Sequence, residues 1–92
     1  KWMLIILRID TYLKLMGIFR TRSMSRKACR SGYVSMEGRK LKPSHTVKTG
    51  DIVDIVKPDG STTSIEVLDV PETGQVSRKQ RRDYHRIVGM EG

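Results

Sequence analysis

The chain has 92 residues, which suits one small domain and excludes a large core, because a domain near this size buries only about 60% of the surface that its unfolded chain exposes. It carries 18 lysine and arginine residues against 10 acidic ones, so the formal net charge is +8 and the predicted partner is a polyanion. A single cysteine, Cys29, excludes an internal disulfide, and we expect a cytoplasmic protein.

The charges are separated along the chain. Residues 8–48 hold 11 basic and 2 acidic side chains, whereas residues 49–77 hold 1 basic and 6 acidic ones. Residues 78–92 are basic again, with 5 cations and 2 acids. This separation favours one cationic face over a uniformly charged surface.

The opening segment, residues 1–7, is predicted to form a strand or a packed arm. Its apolar run from Trp2 to Leu7 is too short to span a membrane and is short for the apolar part of a signal peptide. We therefore expect no membrane association. A first helix is predicted next, over about residues 10–18, with Asp10 as its cap.

A second, shorter helix is predicted from a cap at Thr21 or Ser23 to an exit at Gly32, since glycine readily adopts the left-handed conformation that ends helices. Met24 and Ala28 form a row that is predicted to pack inward. Four-residue spacing aligns three cations along another face of this helix. These cations are Arg22, Arg26 and Arg30.

The rest of the chain predicts strands separated by turns at residues 37–38, 50–51 and 58–60. The predicted fold is α+β, with two short helices packed on a small, mostly antiparallel sheet, a β-hairpin extension and a basic C-terminal tail. For the tail, a short helix carrying Tyr84, Ile87 and Val88 on one side and a disordered segment are both open.

No catalytic or metal-binding motif is present in the sequence. The serines and the two histidines, His45 and His85, do not fall in a known nucleophile motif. Cys29 and these histidines lack the spacing of a zinc site, so Cys29 is predicted to be a small buried side chain. We expect no enzymatic activity, no cofactor and no metal.

One ordered set of residues between positions 8 and 55 carries a family pattern. The set consists of Arg8, Ile9, Asp10, Leu13, Thr21, Arg22, Ser23, Arg26, Ala28, Gly32, Val34, Gly38, Lys42, Pro43, Ser44, Val47, Gly50, Asp51 and Ile55. It resembles the S-four type RNA-binding domain, also called the alpha-L RNA-binding motif. The RTRS sequence at residues 20–23 and the KPS sequence at residues 42–44 are similar to the branch with the bacterial fifteen-kilodalton heat-shock protein and short ribosome-quality-control proteins.

The resemblance implies a two-helix platform and a β-loop that hold structured RNA by its backbone. A guanidinium group can donate two parallel hydrogen bonds to a phosphate, so an arginine-rich set suits this task. The family's contact positions fall on Arg8, Arg20, Arg22, Ser23, Arg26, Lys27, Arg30, Arg39, Lys40 and Lys42. The implied role is non-enzymatic binding of large-subunit ribosomal RNA, by a monomer, in rescue or quality control of stalled ribosomal subunits; binding of tRNA is left open.

Two positions depart from the family pattern. Glu37 stands where many relatives have asparagine before the turn glycine, and glutamate tolerates positive φ less well. Gly17 stands where ribosome-associated relatives often have a basic residue, which predicts a looser end of the first helix.

Two alternative functions stay open. One is an RNA-binding accessory of an RNA-modifying enzyme, and the other is a general binder of DNA or of acidic membranes and proteins. Only five aromatic residues are present, so recognition of a folded RNA by shape and phosphate position is favoured over base-by-base reading of a single strand. The predicted organisation is an N-terminal arm at 1–7, the RNA-binding domain at 8–56, a β extension at 57–76 and a basic tail at 77–92.

Overall fold

The computed structural model describes residues 6–72 and 75–91. The elements are α1 (Ile9–Leu15), α2 (Arg22–Arg30), β1 (Val34–Met36), β2 (Arg39–Lys40), β3 (Ile52–Val56), β4 (Thr62–Val67), α3 (Arg81–Tyr84) and β5 (His85–Glu91). The strands form one antiparallel sheet in the order β2-β1-β3-β4-β5. The predicted α+β fold is confirmed. Most of the predicted N-terminal arm, residues 1–5, lies outside the described residues.

The core lies between the first two helices and one face of the sheet. Tyr12 and Leu13 of α1 are fully buried, and alternate residues of the central strands, such as Ile55 and Ile65, meet them from the sheet. Burying one large aliphatic side chain contributes about 1.5–3 kcal/mol. An isolated helix of seven residues is unstable in water, so tertiary packing is what holds α1 in place.

α1 ends three residues earlier than the predicted span 10–18, and its cap differs from the prediction. The N-cap residue is Arg8, in an extended conformation, so Asp10 lies inside the first turn and does not cap the helix. At the other end Gly17 has a φ of +78°, the left-handed conformation that stops a helix. α1 therefore ends at Leu15.

α2 follows the prediction at both ends. The Thr21 hydroxyl accepts a hydrogen bond from the Met24 amide at 3.1 Å, which caps the helix, and the helix stops before Gly32. The predicted inward row is wrong in one member, because Met24 is 44% exposed. Ala28 and Cys29 are buried and form the apolar side of α2 instead.

The tail is anchored at Tyr84, the last residue of α3. Its carbonyl accepts hydrogen bonds from the Tyr12 hydroxyl at 2.7 Å and from the Leu68 amide at 2.8 Å. Burial, followed by the nearby Asp69 carboxylate, raises the pKa of Tyr12 well above its usual range. The hydroxyl therefore stays protonated and ties α1 to the tail.

Beyond Tyr84 the tail forms a strand, which neither sequence alternative anticipated. β5 pairs with β4, and the register shifts between Ser64, which faces Gly89, and Ile65, which faces Ile87. Val88 is thus an extra residue, as in a β-bulge. With this extra residue, the apolar residues Ile87 and Val88 lie three and four positions after Tyr84, which is the spacing typical of a helix.

Candidate nucleic-acid interface

The buried carboxylate of Asp10 connects two predicted contact residues from different elements. Arg8 donates from Nε to Oδ1 at 3.1 Å and from Nη2 to Oδ2 at 2.9 Å, a parallel two-bond pair. Arg26, in the middle of α2, places its Nε 3.7 Å from Oδ2. The Asp10 side chain is completely buried, so both guanidinium groups are drawn towards a fixed point in the structure.

Asp10 orients these arginines without removing the positive charge of the surface. One carboxylate faces two guanidinium groups, so a net positive charge remains. The Arg8 side chain is 45% exposed and that of Arg26 is 40% exposed, which leaves part of each group open to solvent. Arg26 Nε is buried and makes no hydrogen bond within the described part of the chain.

The loop that carries Lys42 is fixed against the same end of α1. The carbonyl of His45 accepts a hydrogen bond from the Ile9 amide at 2.7 Å, and the Pro43 carbonyl accepts one from the Asp10 amide at 3.3 Å. These two bonds satisfy amides that the first turn of a helix otherwise leaves free. They place the exposed Lys42 in a loop that contacts the amino end of α1.

α2 presents a row of cations to solvent. Arg22, Arg26 and Arg30 are spaced by four residues and therefore lie on one side of the helix. Arg22 and Arg30 are exposed and make no ion pair with any described residue. The neighbouring Ser23 and Lys27 are exposed as well, so the predicted cationic side of the helix is formed.

The β1–β2 hairpin brings one further lysine to the end of α2. Its turn has positive φ at Glu37 (+52°) and Gly38 (+78°), so glutamate occupies the conformation that it tolerates less well. A β-carbon placed on Gly32 would lie 3.9 Å from the Cδ atom of Lys40, so the lysine stem passes close to the exit of α2. Arg39 precedes Lys40 in the strand and therefore faces the opposite side of the hairpin.

The predicted residues therefore separate into three groups. We define the cationic surface as Arg8, Arg22, Arg26, Arg30 and Lys40. At its border, four predicted residues are exposed in adjoining segments, namely Arg20, Ser23, Lys27 and Lys42. Arg39 is exposed but faces away from Lys40. Contact of any of these residues with RNA stays a prediction.

A family model described as S4 domain matches residues 7–53, which is more than half of the chain. The chain belongs to the S4 domain family. The family predicted from the sequence pattern is thereby confirmed. The matched segment contains α1, α2, the β1–β2 hairpin and every residue of the cationic surface.

Proteins similar to this S4 chain share one name. The "RQC P-site tRNA stabilizing factor" of Helicobacter pylori (strain J99) is 32% identical over 78 residues, covering 85% of this chain and 92% of that protein. A protein of the same name from Halalkalibacterium halodurans is 25% identical over 67 residues, covering 73% of this chain and 75% of that protein.

Two solved structures are similar to this S4 chain. The solution structure of the hypothetical protein HP1423 matches with a TM-score of 0.76 and 28% identity, over 90% of this chain and 98% of that one. Heat shock protein 15 of Vibrio cholerae, whose structure is described as trimeric, matches with a TM-score of 0.81 and 20% identity, over 90% and 82% of the two chains. At that identity the second likeness shows the fold alone.

Two residues of this S4 chain have surroundings that the sequence pattern did not indicate. Arg81 donates from Nε to the Leu15 carbonyl at 3.0 Å and so reaches the carboxyl end of α1 from the tail. Tyr33 is 51% exposed beside α2. The pairing of Arg81 has no local signal, but the position of Tyr33, directly before the buried Val34 in a strand, could have predicted its exposure.

The described residues contain no group of three or more histidine, cysteine or acidic side chains that could hold a metal ion. In the same part of the chain, no helix is both long and apolar enough to cross a membrane. Cys29 is fully buried, and burial, with a smaller effect of Asp10, raises the pKa of its thiol to about 11. A neutral buried thiol is a structural side chain and a poor nucleophile.

Proposed function

We propose that this S4 protein binds structured RNA through the cationic surface and catalyses no reaction. Phosphates of one RNA element contact Arg8 and the arginine row of α2, and those of a second contact Lys40 on the β1–β2 hairpin. The protein thereby holds the two RNA elements in register. Exposed guanidinium groups at fixed positions suit this role, because each can donate two parallel hydrogen bonds to a phosphate.

The observation that supports this proposal most strongly is the sharing of Asp10 by Arg8 and Arg26. The buried Asp10 carboxylate requires cationic partners, and two partly exposed arginines supply them from the surface. Here the carboxylate aims them while a net positive charge remains. Fixed donors lose little side-chain entropy when they bind a phosphate, which favours recognition of a particular RNA shape.

The RNA that we propose is large-subunit ribosomal RNA together with tRNA, during quality control of stalled ribosomal subunits. Support for tRNA comes from the name of the relatives, which describes them as factors that stabilise P-site tRNA. Support for a folded RNA comes from the small number of aromatic side chains available for stacking. We place the protein in the cytoplasm, where it meets ribosomes, and expect it to act as a monomer.

Competition binding tests the proposed partner class. A fluorescent hairpin of large-subunit ribosomal RNA is bound to the protein at 150 mM salt and displaced by unlabelled tRNA, by ribosomal RNA hairpins and by duplex DNA of equal length. The proposal predicts displacement by both RNAs at concentrations at least about tenfold lower than for DNA. Equal displacement by DNA would indicate a general nucleic-acid binder, because backbone charge alone does not distinguish the two.

Two further measurements address the remaining open points. Sedimentation of the free protein distinguishes the expected monomer from the trimer described for heat shock protein 15. Purification of the protein from its host tests the accessory function. A stoichiometric RNA-modifying enzyme in the purified sample would favour that alternative over binding to ribosomal subunits.

A further inference from the structure

A groove of about 300 Å³ lies beside α2, between that helix and the adjacent ends of β1 and β3. Its walls include Met24 and Lys27 from α2, Tyr33 directly before β1, Val56 at the end of β3 and Pro58 in the turn that follows. This volume is at the lower limit of small-molecule sites, which range over about 300–1,000 Å³. The groove is therefore large enough for one flat ring system.

Two large side chains of this groove are left uncovered. Tyr33 is 51% exposed and Met24 is 44% exposed, whereas the nearby Phe19 and Ala28 are each only 7% exposed. The buried apolar floor of the groove and its exposed aromatic and thioether walls offer a surface on which a flat ring can stack. Aromatic rings and methionine sulfur both make favourable contacts with another ring.

The aromatic wall is held in place by the backbone on both sides. The Tyr33 amide donates to the Ala28 carbonyl at 2.9 Å, at the exit of α2, and the Tyr33 carbonyl accepts from the Val56 amide at 2.8 Å. The backbone of Tyr33 is therefore fixed between α2 and the sheet. Ordering cost on binding is lower for a side chain on a fixed backbone.

The groove adjoins the cationic surface. Lys27 lines the groove and lies three residues before Arg30 on α2, so these two side chains are neighbours on the helix surface, and Lys27 is also one of the predicted RNA contacts. A ligand that fills the groove must therefore suit an apolar cleft with a cation at its rim. A nucleobase attached to a phosphate backbone has this combination, since its flat ring can enter the cleft while the phosphate stays at the lysine.

We propose that this groove binds one unpaired nucleobase of the RNA held on the cationic surface, with the base against Tyr33 and its phosphate near Lys27. The inference rests on the proposed function and adds a second type of contact to it. Backbone contacts hold a folded RNA, while the groove selects one with a base out of the stack. An extruded base is most accessible at a bulge or loop.

Two RNA hairpins of identical stem sequence test the inference, one with a single bulged nucleotide and one without it. The wild-type protein is expected to bind the bulged hairpin more tightly. Tyr33→Ala is expected to weaken binding to the bulged hairpin about tenfold, in line with the loss of one base-stacking side chain, and to leave binding to the fully paired hairpin unchanged. The matched control is Ile52→Ala, which removes an equally exposed apolar side chain (49%) from outside the groove.

Two conservative variants separate stacking from folding. Tyr33→Phe keeps the ring and should bind both hairpins like the wild type, whereas Tyr33→Leu keeps apolar bulk and should lose the preference for the bulge. A 2-aminopurine base at the bulge gives a direct readout, since its fluorescence changes with stacking. A large change on wild-type binding that is absent with Tyr33→Leu supports the inference.

The outcomes separate failure of the groove inference from failure of the proposed function. If both hairpins are bound in a salt-dependent manner but Tyr33→Ala affects them equally or not at all, the groove inference is wrong and the proposed function stands. If the wild type binds neither hairpin in a salt-dependent manner, both are wrong. Dimers of the free protein that are abolished by Tyr33→Ala would show that a second copy fills the groove, and would overturn the inference.

Discussion

The guanidinium group of Arg81 lies against Gly17, at the exit of α1. A β-carbon built on Gly17 would come within 2.5 Å of the Nη1 atom of Arg81, while Nε of the same side chain donates to the Leu15 carbonyl. A cation at the carboxyl end of a helix is favourable for the helix dipole. The tail therefore supplies a cation at the end of α1, next to the glycine that departs from the family pattern.

Gly17→Ala should destabilise the protein through both the backbone and this contact. The left-handed conformation costs a residue with a β-carbon about 1–2 kcal/mol, and displacement of Arg81 adds to that loss. Gly60→Ala is the matched control, because Gly60 also has positive φ (+88°) but open space around it. Urea unfolding should show a larger loss for Gly17→Ala than for Gly60→Ala. Equal losses would mean that the contact with Arg81 contributes nothing.

Asp10→Asn should weaken RNA binding although it makes the protein more positive. The neutral amide holds the Arg8 and Arg26 guanidinium groups less firmly, so the donors lose their fixed geometry. The stability loss should be about 1.5–3 kcal/mol, the range for hydrogen bonds to charged groups. It should not be larger, because both arginines are partly exposed and can be hydrated. Fluorescence anisotropy with an RNA hairpin gives the affinity, and urea unfolding gives the stability.

The control for this variant is Asp69→Asn, which changes the charge by the same amount at an exposed residue that forms no ion pair with any described arginine or lysine. It should leave RNA affinity unchanged or raise it slightly. If Asp10→Asn also raises the affinity, the carboxylate acts as a simple negative charge and does not orient the arginines.

Lys40→Ala should reduce RNA affinity more than Arg39→Ala. The two residues have the same charge and are adjacent in β2, but only the Lys40 stem approaches the exit of α2 at Gly32. Loss of one phosphate contact should lower the salt slope by about 0.7–0.9. Salt titrations of the two variants against one RNA hairpin make the comparison. A larger effect of Arg39→Ala would place the RNA on the other side of the hairpin.

Stability should fall with rising pH between about pH 9 and pH 11, in part because of Cys29. Burial raises the pKa of the folded thiol from its ordinary value of 9.0 to about 11. Below pH 9 the thiol is protonated in both the folded and the unfolded state, so its full contribution to the free energy of unfolding is present. Above pH 9 the unfolded state loses the proton first, which favours unfolding. One such group can change the free energy of unfolding by at most about 1.4 kcal/mol per pH unit.

Urea unfolding at pH 8, 9, 10 and 11 measures this effect in the wild type and in Cys29→Ala. The variant is expected to be less stable throughout, because it lacks a buried side chain, but to show a shallower decline above pH 9. Parallel declines in the two proteins would mean that the thiol does not contribute.

Local chemistry explains which parts of the fold could be predicted from the sequence. The cap at Thr21 and the turn at residues 37–38 depend on neighbouring residues, and the structure contains both. The cationic row of α2 could be predicted for the same reason, since four-residue spacing fixes it. The approach of Lys40 to the end of α2 could not, because it depends on how the hairpin packs.

The wrong predictions have long-range causes. Aspartate is a common helix-capping residue, but the N-cap of α1 is Arg8. The loop carbonyls at residues 43 and 45 accept hydrogen bonds from the first two amides of the helix, so no side-chain cap is needed there. The tail forms a strand because β4 offers it a partner 18 or more residues away. No local pattern of residues 85–91 indicates such a partner.

A salt titration of the double variant Arg22→Ala with Arg30→Ala, two exposed arginines that form no ion pair with any described residue, tests most directly whether the cations of α2 hold folded RNA. If about six phosphates are contacted, the wild type should show a slope of roughly −4 to −5 in a plot of log affinity against log salt. The double variant should bind more weakly, with a slope reduced by about 1.4–1.8, and should melt at nearly the wild-type temperature. An unchanged slope, or unfolding of the variant, would contradict the account by assigning these arginines to the stability of the domain.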